Sequence, residues 1–267
     1  MAVENGGGTQ AVERAMSLLA CFSEAKGALR VSELCAMTGL GQSTVSRMMS
    51  TLDRMRFVRQ DSRTGLYHVG PAAISLGTLA LNSSPVFRAS RQVAQNLAHR
   101  SGLGANVAEL DEFTLRYLCN FEGPRAPKSF SMAGRSAPLH ATALGKALLS
   151  AMSAEQVSEY FQAPLPQLTP RTITDCQVMA AELEQVRARG YASEVEELAF
   201  GRACIAAPIR DNLGAVVAAI SMSGPLSALD PRAPHEDLAL LIIEAADEIS
   251  VALGHSPALR DDVFISL

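Results

Sequence analysis

The chain has 267 residues, 48% of them hydrophobic and 19% charged, with a net charge of −4. That composition can bury a sizeable core and excludes a disordered or fibrous protein, while the length allows one large domain or two unequal ones. The average charge hides a split: through Gly70, eight Lys and Arg stand against six Asp and Glu, a balance of +2 that leaves −6 for the remainder. Five of those eight lie between Arg47 and Arg63. Local field, not net charge, attracts phosphate, so the basic head is the candidate surface for nucleic acid. The five cysteines, Cys21, Cys35, Cys119, Cys176 and Cys204, are widely spaced without a C-x-x-C pair. Neither a disulfide framework nor a metal site is expected, and no cofactor. The first ten residues carry no apolar run, and the stretch from Leu238 to Leu253 is interrupted by Glu244, Asp247 and Glu248. No membrane span is expected, and a cytoplasmic location is.

In chain order, a Gly-rich start expected to fray precedes a helix over residues 11–22, with Val12, Ala15, Leu18, Leu19 and Phe22 on one face. Residues 29–31 are a short strand candidate. Residues 32–38 read as a second helix, Leu34 and Met37 inward, stopped by Gly39. After the linker Gly39-Leu40-Gly41, a helix over residues 42–55 repeats Val45, Met48, Met49, Leu52 and Met55 at the spacing of a buried stripe. At about 100° per residue, Ser43, Ser46, Arg47, Ser50 and Arg54 fall on the opposite side. Residues 57–59 and 66–69 read as strands joined by the turn-rich stretch from Asp61 to Gly65. Helical spacing resumes over residues 71–81 with Ile74, Leu76 and Leu79, and breaks at Asn82-Ser83-Ser84-Pro85.

Beyond that break come a helix over residues 86–99, strands over 105–110 and 114–121, a third strand candidate at 130–132 and a helix over 141–151. Ser153 to Gln156 and Thr174 to Gln177 have the capping-box pattern and open two more helices, the second ended by Gly190. Strands over 204–209 and 215–222 flank an Asp211 to Gly214 turn, and Pro234 introduces a last helix to Gly254. The expected fold is α+β: a DNA-binding domain over residues 10–70, a linker helix over 71–84, and an α/β domain over 85–267 in which strands and helices intermix.

Helix, short glycine turn, helix with a basic hydroxylated face, then a hairpin is the order of a winged helix-turn-helix. A major groove about 12 Å wide admits one helix whose outward side chains reach base edges. Arg47 can bond guanine bidentately, and Gln42, Ser43, Thr44, Ser46, Ser50 and Arg54 share its helix as base or phosphate contacts. Arg59 and Arg63 on the wing can neutralise phosphate. The bland alternative is a surface helix with a solvated charged face.

A second constellation lies downstream. Ser221 and Ser223, two apart on a strand, point to one side, away from Ile220 and Met222. If that side faces an enclosed pocket, the hydroxyls need a polar partner, and a ligand carboxylate suits them. The alternative has the serines facing solvent and Cys204 as a small core hydrophobe.

The segments Ala11 to Ala15, Glu33 to Leu40, Ser43 to Arg47, Leu52 and Tyr67 to Gly70 resemble the DNA-binding domain of IclR-type regulators. Pro138 to Ala147, Glu197 to Gly201, Cys204 to Pro208 and Ala219 to Pro225 resemble that family's effector domain, in order and at family spacing. The resemblance implies a GAF-like domain that senses a small organic molecule, for which the serines suit an organic acid and the planar fork of Arg202 an aromatic one, and a protein that binds a pseudo-palindromic operator in duplex DNA. It also implies a homodimer paired largely through the DNA-binding domains, or a dimer of dimers, with repression as the expected sign. By position, the family's effector contacts fall on Glu194, Cys204, Ser221 and Ser223, with the helix-start backbone at Ala143 and Leu144. Two departures stand out. Arg56 occupies a place where the family has Gly, which asks it for a left-handed conformation unless the helix ends differently, and it can add a phosphate contact. Arg202 occupies a commonly apolar place, and a role in effector choice is expected for it, against an ion pair with Glu194 or a head turned to solvent.

Catalysis is not expected. Gly145-Lys146 mimics a phosphate loop, but His140 stands at the first glycine position and Ala147 at the Ser/Thr position. There is no G-x-S-x-G elbow. A hydrolase-type triad of His140, Cys204 and a carboxylate, assembled in space, stays open. So does an interaction adaptor with a degenerate winged helix, which loss of Arg47 or of the basic wing would mark; both are present.

Overall fold

Leu18 and Phe22 are buried on the first helix, α1 (Gly6–Ala25), in the computed structural model, which describes residues 6–25, 27–125, 131–229 and 236–256. The Gly-rich start expected to fray is helical from Gly6 onward. Val12, expected inward, is exposed, because the apolar cluster of this unit begins only at Leu18. Residues 29–31 form no strand: Leu29 makes a single two-bond bridge to Tyr67 (3.0 and 2.9 Å), and Val31 already opens α2 (Val31–Thr38). The Glu33 carboxylate accepts the Arg30 N–H at 2.6 Å at the start of α2, and Gly39, left-handed at φ 70°, ends it. Leu34 is buried with Val31 and Cys35 packed beside it, whereas Met37 is exposed, outside the apolar cluster.

After the three-residue turn, α3 (Gln42–Arg54) buries Val45, Met49 and Leu52. Met55, expected on that stripe, is exposed: it caps a helix that ends at Arg54, and the apolar cluster of this unit does not extend to it. Arg56 then takes φ 64°, the left-handed conformation that the family meets with Gly, at about 1–2 kcal/mol for a residue with a side chain. It turns the chain into the wing, β1 (Val58–Gln60) antiparallel to β2 (Tyr67–Val69), with Val58 opposite Val69. Gly70 closes the junction: a Cβ there would run into the Arg56 carbonyl, whose oxygen accepts the Ala72 N–H at 3.0 Å. Helix α4 (Pro71–Ser83) follows with no buried residue. Its Ile74, Leu76 and Leu79 are 69, 55 and 64% exposed.

The chain divides between Ser83 and Ser84 into two units. In the second, α5 (Pro85–Ser101) starts on a Ser84 hydroxyl that accepts the Phe87 N–H at 3.1 Å. It is followed by β3 (Gly104–Asp111), β4 (Thr114–Glu122), β5 (Ser136–Pro138), α6 (Ala143–Leu149), α7 (Ala154–Tyr160), α8 (Cys176–Arg189), β6 (Ala192–Val195), β7 (Arg202–Arg210), β8 (Val216–Pro225) and α9 (Glu236–Ala252). The described strands form an antiparallel sheet in the order β5-β4-β3-β8-β7-β6. Strand alternation sorts its faces. Val107, Ile205, Ile220 and Met222 lie on the face covered by α5 and α9. Ala108, Ala192, Ala206 and Ala219 lie on the other, under Leu144, Ala147 and Leu148 of the fully buried α6. Small residues on the sheet let that helix approach closely. Gly145 packs so tightly that a Cβ would collide with the Leu139 backbone.

Three local expectations change. Phe130 lies outside the described residues and Met132 is not in a strand; the edge strand is β5, which pairs with the start of β4. The second capping box does not form, because Asp175, one residue nearer the helix than Thr174, accepts the N–H groups of Gln177 and Val178 at 2.9 Å each. The Ser153–Gln156 box does form. Strand β6 was not anticipated, its Ser193 and Glu194 being poor strand formers by composition. Pro234 lies outside the described residues, and α9 is described from Glu236.

Candidate functional site

On α3, Gln42, Ser43, Ser46, Arg47, Ser50 and Arg54 are exposed and Thr44 is half-buried. Arg54 donates to the Thr51 hydroxyl at 3.2 Å, and that hydroxyl to the Arg47 carbonyl at 3.1 Å, bonds along the helix that leave the Arg47 head out of the chain. Among the described residues no ion pair engages Arg47, Arg59 or Arg63. The wing tip is folded by Asp61, which accepts the N–H groups of Arg63 and Thr64 at 2.8 and 3.2 Å. Those two bonds hold the Asp61 carboxyl below its usual range. The sole acid of the tip is thus occupied with its own turn, while Arg63 beside it is exposed.

In the second unit, strand register assembles a polar patch on the α6 face. Glu194, Cys204 and Ser223 stand in one row across β6, β7 and β8, and Ser221 is paired with Asn106 and Ala206 in the next. A cavity of about 240 Å³ opens over this patch, lined by Asn106, Tyr117, Asn120, Met132, Phe200, Arg202 and Ser223 among others. Arg202 and Ser223 therefore reach the cavity directly. Ser221 is tied to Ser223 through Asn106, whose Nδ2 donates to both hydroxyls at 3.2 Å. Cys204 lies beside Arg202, which donates from Nη2 to its Sγ at 3.8 Å. Ala143 and Leu144 are packed in the apolar cluster and are not among the cavity's lining residues. Arg202 is half-buried and makes no ion pair with Glu194 among the described residues.

The segment after β6 is held from inside. Glu194, 1% exposed, accepts the N–H groups of Glu197 and Leu198 through Oε1 at 2.6 and 3.1 Å. Lys146, 2% exposed, donates to Glu197 Oε1 at 2.6 Å and to the Ser193 carbonyl at 3.1 Å. The hydroxyls of Thr169 and Thr172 donate to the carbonyls of Glu196 and Glu197 at 2.6 and 2.7 Å. Lys146 is thus a buried structural cation and not a phosphate ligand. Oε2 of Glu194 and of Glu197 are buried without a partner. Burial raises both carboxyls, against the N–H bonds at Glu194 and the Lys146 charge at Glu197. Burial also pushes the Cys204 thiol and the Tyr117 phenol each up to about 12. His140 is engaged at both ring nitrogens, by the Tyr160 hydroxyl at 2.7 Å and the Pro166 carbonyl at 3.1 Å.

A winged helix-turn-helix and a curled antiparallel sheet sandwiched by helices, one with an exposed basic helix and the other with a polar cavity, define a two-domain DNA-binding regulator. The chain belongs to the IclR family of bacterial transcriptional regulators: the IclR helix-turn-helix domain profile matches residues 11–62, and the profile of the bacterial transcriptional regulator IclR C-terminal domain matches residues 78–251. It is 34% identical over 251 residues to the HTH-type transcriptional repressor AllR of Klebsiella pneumoniae, spanning 94% of this chain and 92% of that one. The crystal structure of the Thermotoga maritima IclR superposes with a TM-score of 0.76 at 28% identity, covering 92% of this chain and 100% of that one. An IclR homologue from Microbacterium hydrocarbonoxydans complexed with 4-hydroxybenzoate has the same fold, with a TM-score of 0.79 at 24% identity, covering 91% and 98%.

Sequence reading missed Asn106, Asn120 and Tyr117. An available signal was the pair of asparagines in the middle of strands, where Asn is disfavoured unless its amide has work to do.

The raised Glu194 carboxyl has a measurable consequence. A folded-state pKa above the unfolded one gives a contribution to stability that is full at low pH and lost as pH rises above the ordinary value of 4.5. Glu194→Gln removes that titration while keeping an acceptor for the two N–H groups. Its melting temperature, followed from about pH 4 to 7, is expected to decline less, or rise more, than that of the wild type. Parallel curves would show that Glu194 titrates as in the unfolded chain.

Proposed function

We propose that the protein binds a pseudo-palindromic operator through α3 and the wing, and that a small organic acid in the 240 Å³ cavity alters that binding. The observation that carries this reading is the exposed face of α3, hydroxylated and basic, whose Arg47 is engaged by no carboxylate among the described residues. Arg47 reads bases, Gln42, Ser43, Thr44, Ser46, Ser50 and Arg54 read or position, and Arg59 and Arg63 contact phosphate. Arg56, next to the wing, adds charge. The name of the relative from Klebsiella pneumoniae supports repression as the sign. The protein works as a homodimer or a pair of such dimers. A second copy would cover the bare apolar residues of α4, and two-fold pairing would match a palindromic site. Its place of work is the cytoplasm, with the chromosome.

In this reading Arg202 and Ser223 meet the effector in the cavity, Glu194, Cys204 and Ser221 support them from the same strand rows, and Ala143 and Leu144 at the α6 start belong to the site without lining the cavity. Arg202 supplies the cation for a carboxylate, and Tyr117, Phe200 and Met132 supply apolar surface that suits an aromatic ring. The acid held by the Microbacterium homologue is of this chemistry. A thiol pushed up to about 12 and a histidine bonded at both nitrogens favour a sensor over a hydrolase.

Arg47→Ala is expected to remove about 1–3 kcal/mol of discrimination between operator and unrelated DNA. Arg63→Ala should weaken both equally and lower the slope of log affinity against log salt by about 1. If the two variants behave alike in binding assays over a salt series, reader and wing have been misassigned. For the effector, Arg202→Leu should abolish the response of operator binding to carboxylates at an unchanged melting temperature. A lowered melting temperature without ligand would make Arg202 an internal structural residue, and no change in either would turn its head to solvent.

A further inference from the structure

We propose that Asn106 is a positioning residue that sets the hydrogen-bond polarity of the cavity, so that its Ser223 end, with Ser221 held behind it, accepts a carboxylate and disfavours the matching primary amide. The inference rests on the reading of this cavity as the effector site and assigns it a rule of ligand choice.

Asn106 stands directly across from Ser221, while the residue across from Ser223 is Gly104, which has no side chain to intervene. One amide can therefore serve both hydroxyls, and Nδ2 donates to each Oγ at 3.2 Å. An asparagine amide carries two N–H hydrogens and a serine hydroxyl one hydrogen and two lone pairs. Both amide hydrogens are used on the serines, so Asn106 acts on a ligand through Ser223 and, directly, only through its acceptor Oδ1. Each serine accepts from Asn106 and keeps its own O–H to give. Among the described residues neither hydroxyl donates to a protein acceptor. Ser221 and Ser223 are 2% and 9% exposed, so little water is at hand to take those hydrogens. Arg202, beside the same row, has only hydrogens to give. Beside the single acceptor Asn106 Oδ1, this end of the cavity presents the Ser223 hydroxyl and the Arg202 fork as donors, which a carboxylate satisfies with its two oxygens. A primary amide has one oxygen for them and an NH₂ whose match there is Oδ1 alone, and a mispaired buried donor is unfavourable.

An aspartate of the same shape would reverse the pattern: it would capture both hydroxyl hydrogens and set a negative charge beside the ligand. The test uses full-length wild type, Asn106→Asp, Asn106→Ala and the double variant Ser221→Ala/Ser223→Ala. Each is titrated with 4-hydroxybenzoate and 4-hydroxybenzamide, and with lactate and lactamide, with melting temperatures recorded alongside. The wild type is expected to prefer each acid it binds over its amide by about tenfold or more. Asn106→Asp should erase that preference by weakening the acid alone. Asn106→Ala, which frees the hydroxyls to rotate, should shrink it and answers the same question if the aspartate variant fails to fold. Variants that keep the wild-type preference, or that lose acid and amide affinity by the same factor, overturn the inference; the second outcome would mark a purely structural asparagine. If the serine double variant alters acid binding while both Asn106 variants match the wild type, the role of Asn106 fails and the effector site stands. If the wild type distinguishes no acid from its amide and the serine variant changes nothing, the effector-site reading fails and takes the inference with it.

Discussion

Lys146 sits on a helix without an exposed residue and directs its ammonium to Glu197 and the Ser193 carbonyl. Two ions taken from water lose several kcal/mol each, and their attraction offsets this only when further hydrogen bonds complete them. Among the described residues the pair has one further bond, from Lys146 Nζ to the Ser193 carbonyl, and the segment from Ser193 to Leu198 around it is shaped by the two N–H groups on Glu194 and the threonine hydroxyls on the Glu196 and Glu197 carbonyls. Removing one member of such a pair generally costs about 3–5 kcal/mol, because the other charge is left buried. The segment leads into β7, whose first residue is Arg202 and whose third is Cys204. The place of the cavity's cation therefore depends on a buried cation that never reaches the cavity.

The same unit keeps acceptor capacity in reserve. Glu194 and Glu197 each retain a buried oxygen without a partner, and Ser221 and Ser223 retain hydrogens without an acceptor. Buried polar groups are otherwise satisfied throughout a native fold. In the first unit the counterpart is strain and exposure: a left-handed Arg56 where the wing departs, a basic helix face whose Arg47 enters no ion pair among the described residues, and exposed apolar residues on α4.

Much of this was legible from residue order. The 3.6-residue repeat of Val45, Met49 and Leu52 located α3 and turned its basic face outward, and the glycine turns located its start. Period-two alternation placed Ser221 and Ser223 on one side of β8, and they are indeed buried together. The failures are equally physical. Periodicity reports which side of a helix is apolar but not how far along it a partner extends, so Val12, Met37 and Met55 were assigned to a core that does not reach them. Capping depends on which hydroxyl or carboxylate stands nearest the first turn, and Asp175 displaced Thr174. Partners distant in sequence were invisible: the Asn106 amide meets serines 115 and 117 residues away. Lys146 meets Glu197 across 51.

In the proposed function an operator and an acid bias one equilibrium of the same protein. Thermodynamic linkage makes that claim strict, since whatever factor the acid imposes on operator affinity the operator must impose on acid affinity. The most direct measurement is the acid's dissociation constant for the full-length protein, alone and saturated with its operator duplex. This is compared with the operator's dissociation constant with and without the acid. The expected result is two equal ratios different from one; an acid that binds equally well with and without operator would contradict the account.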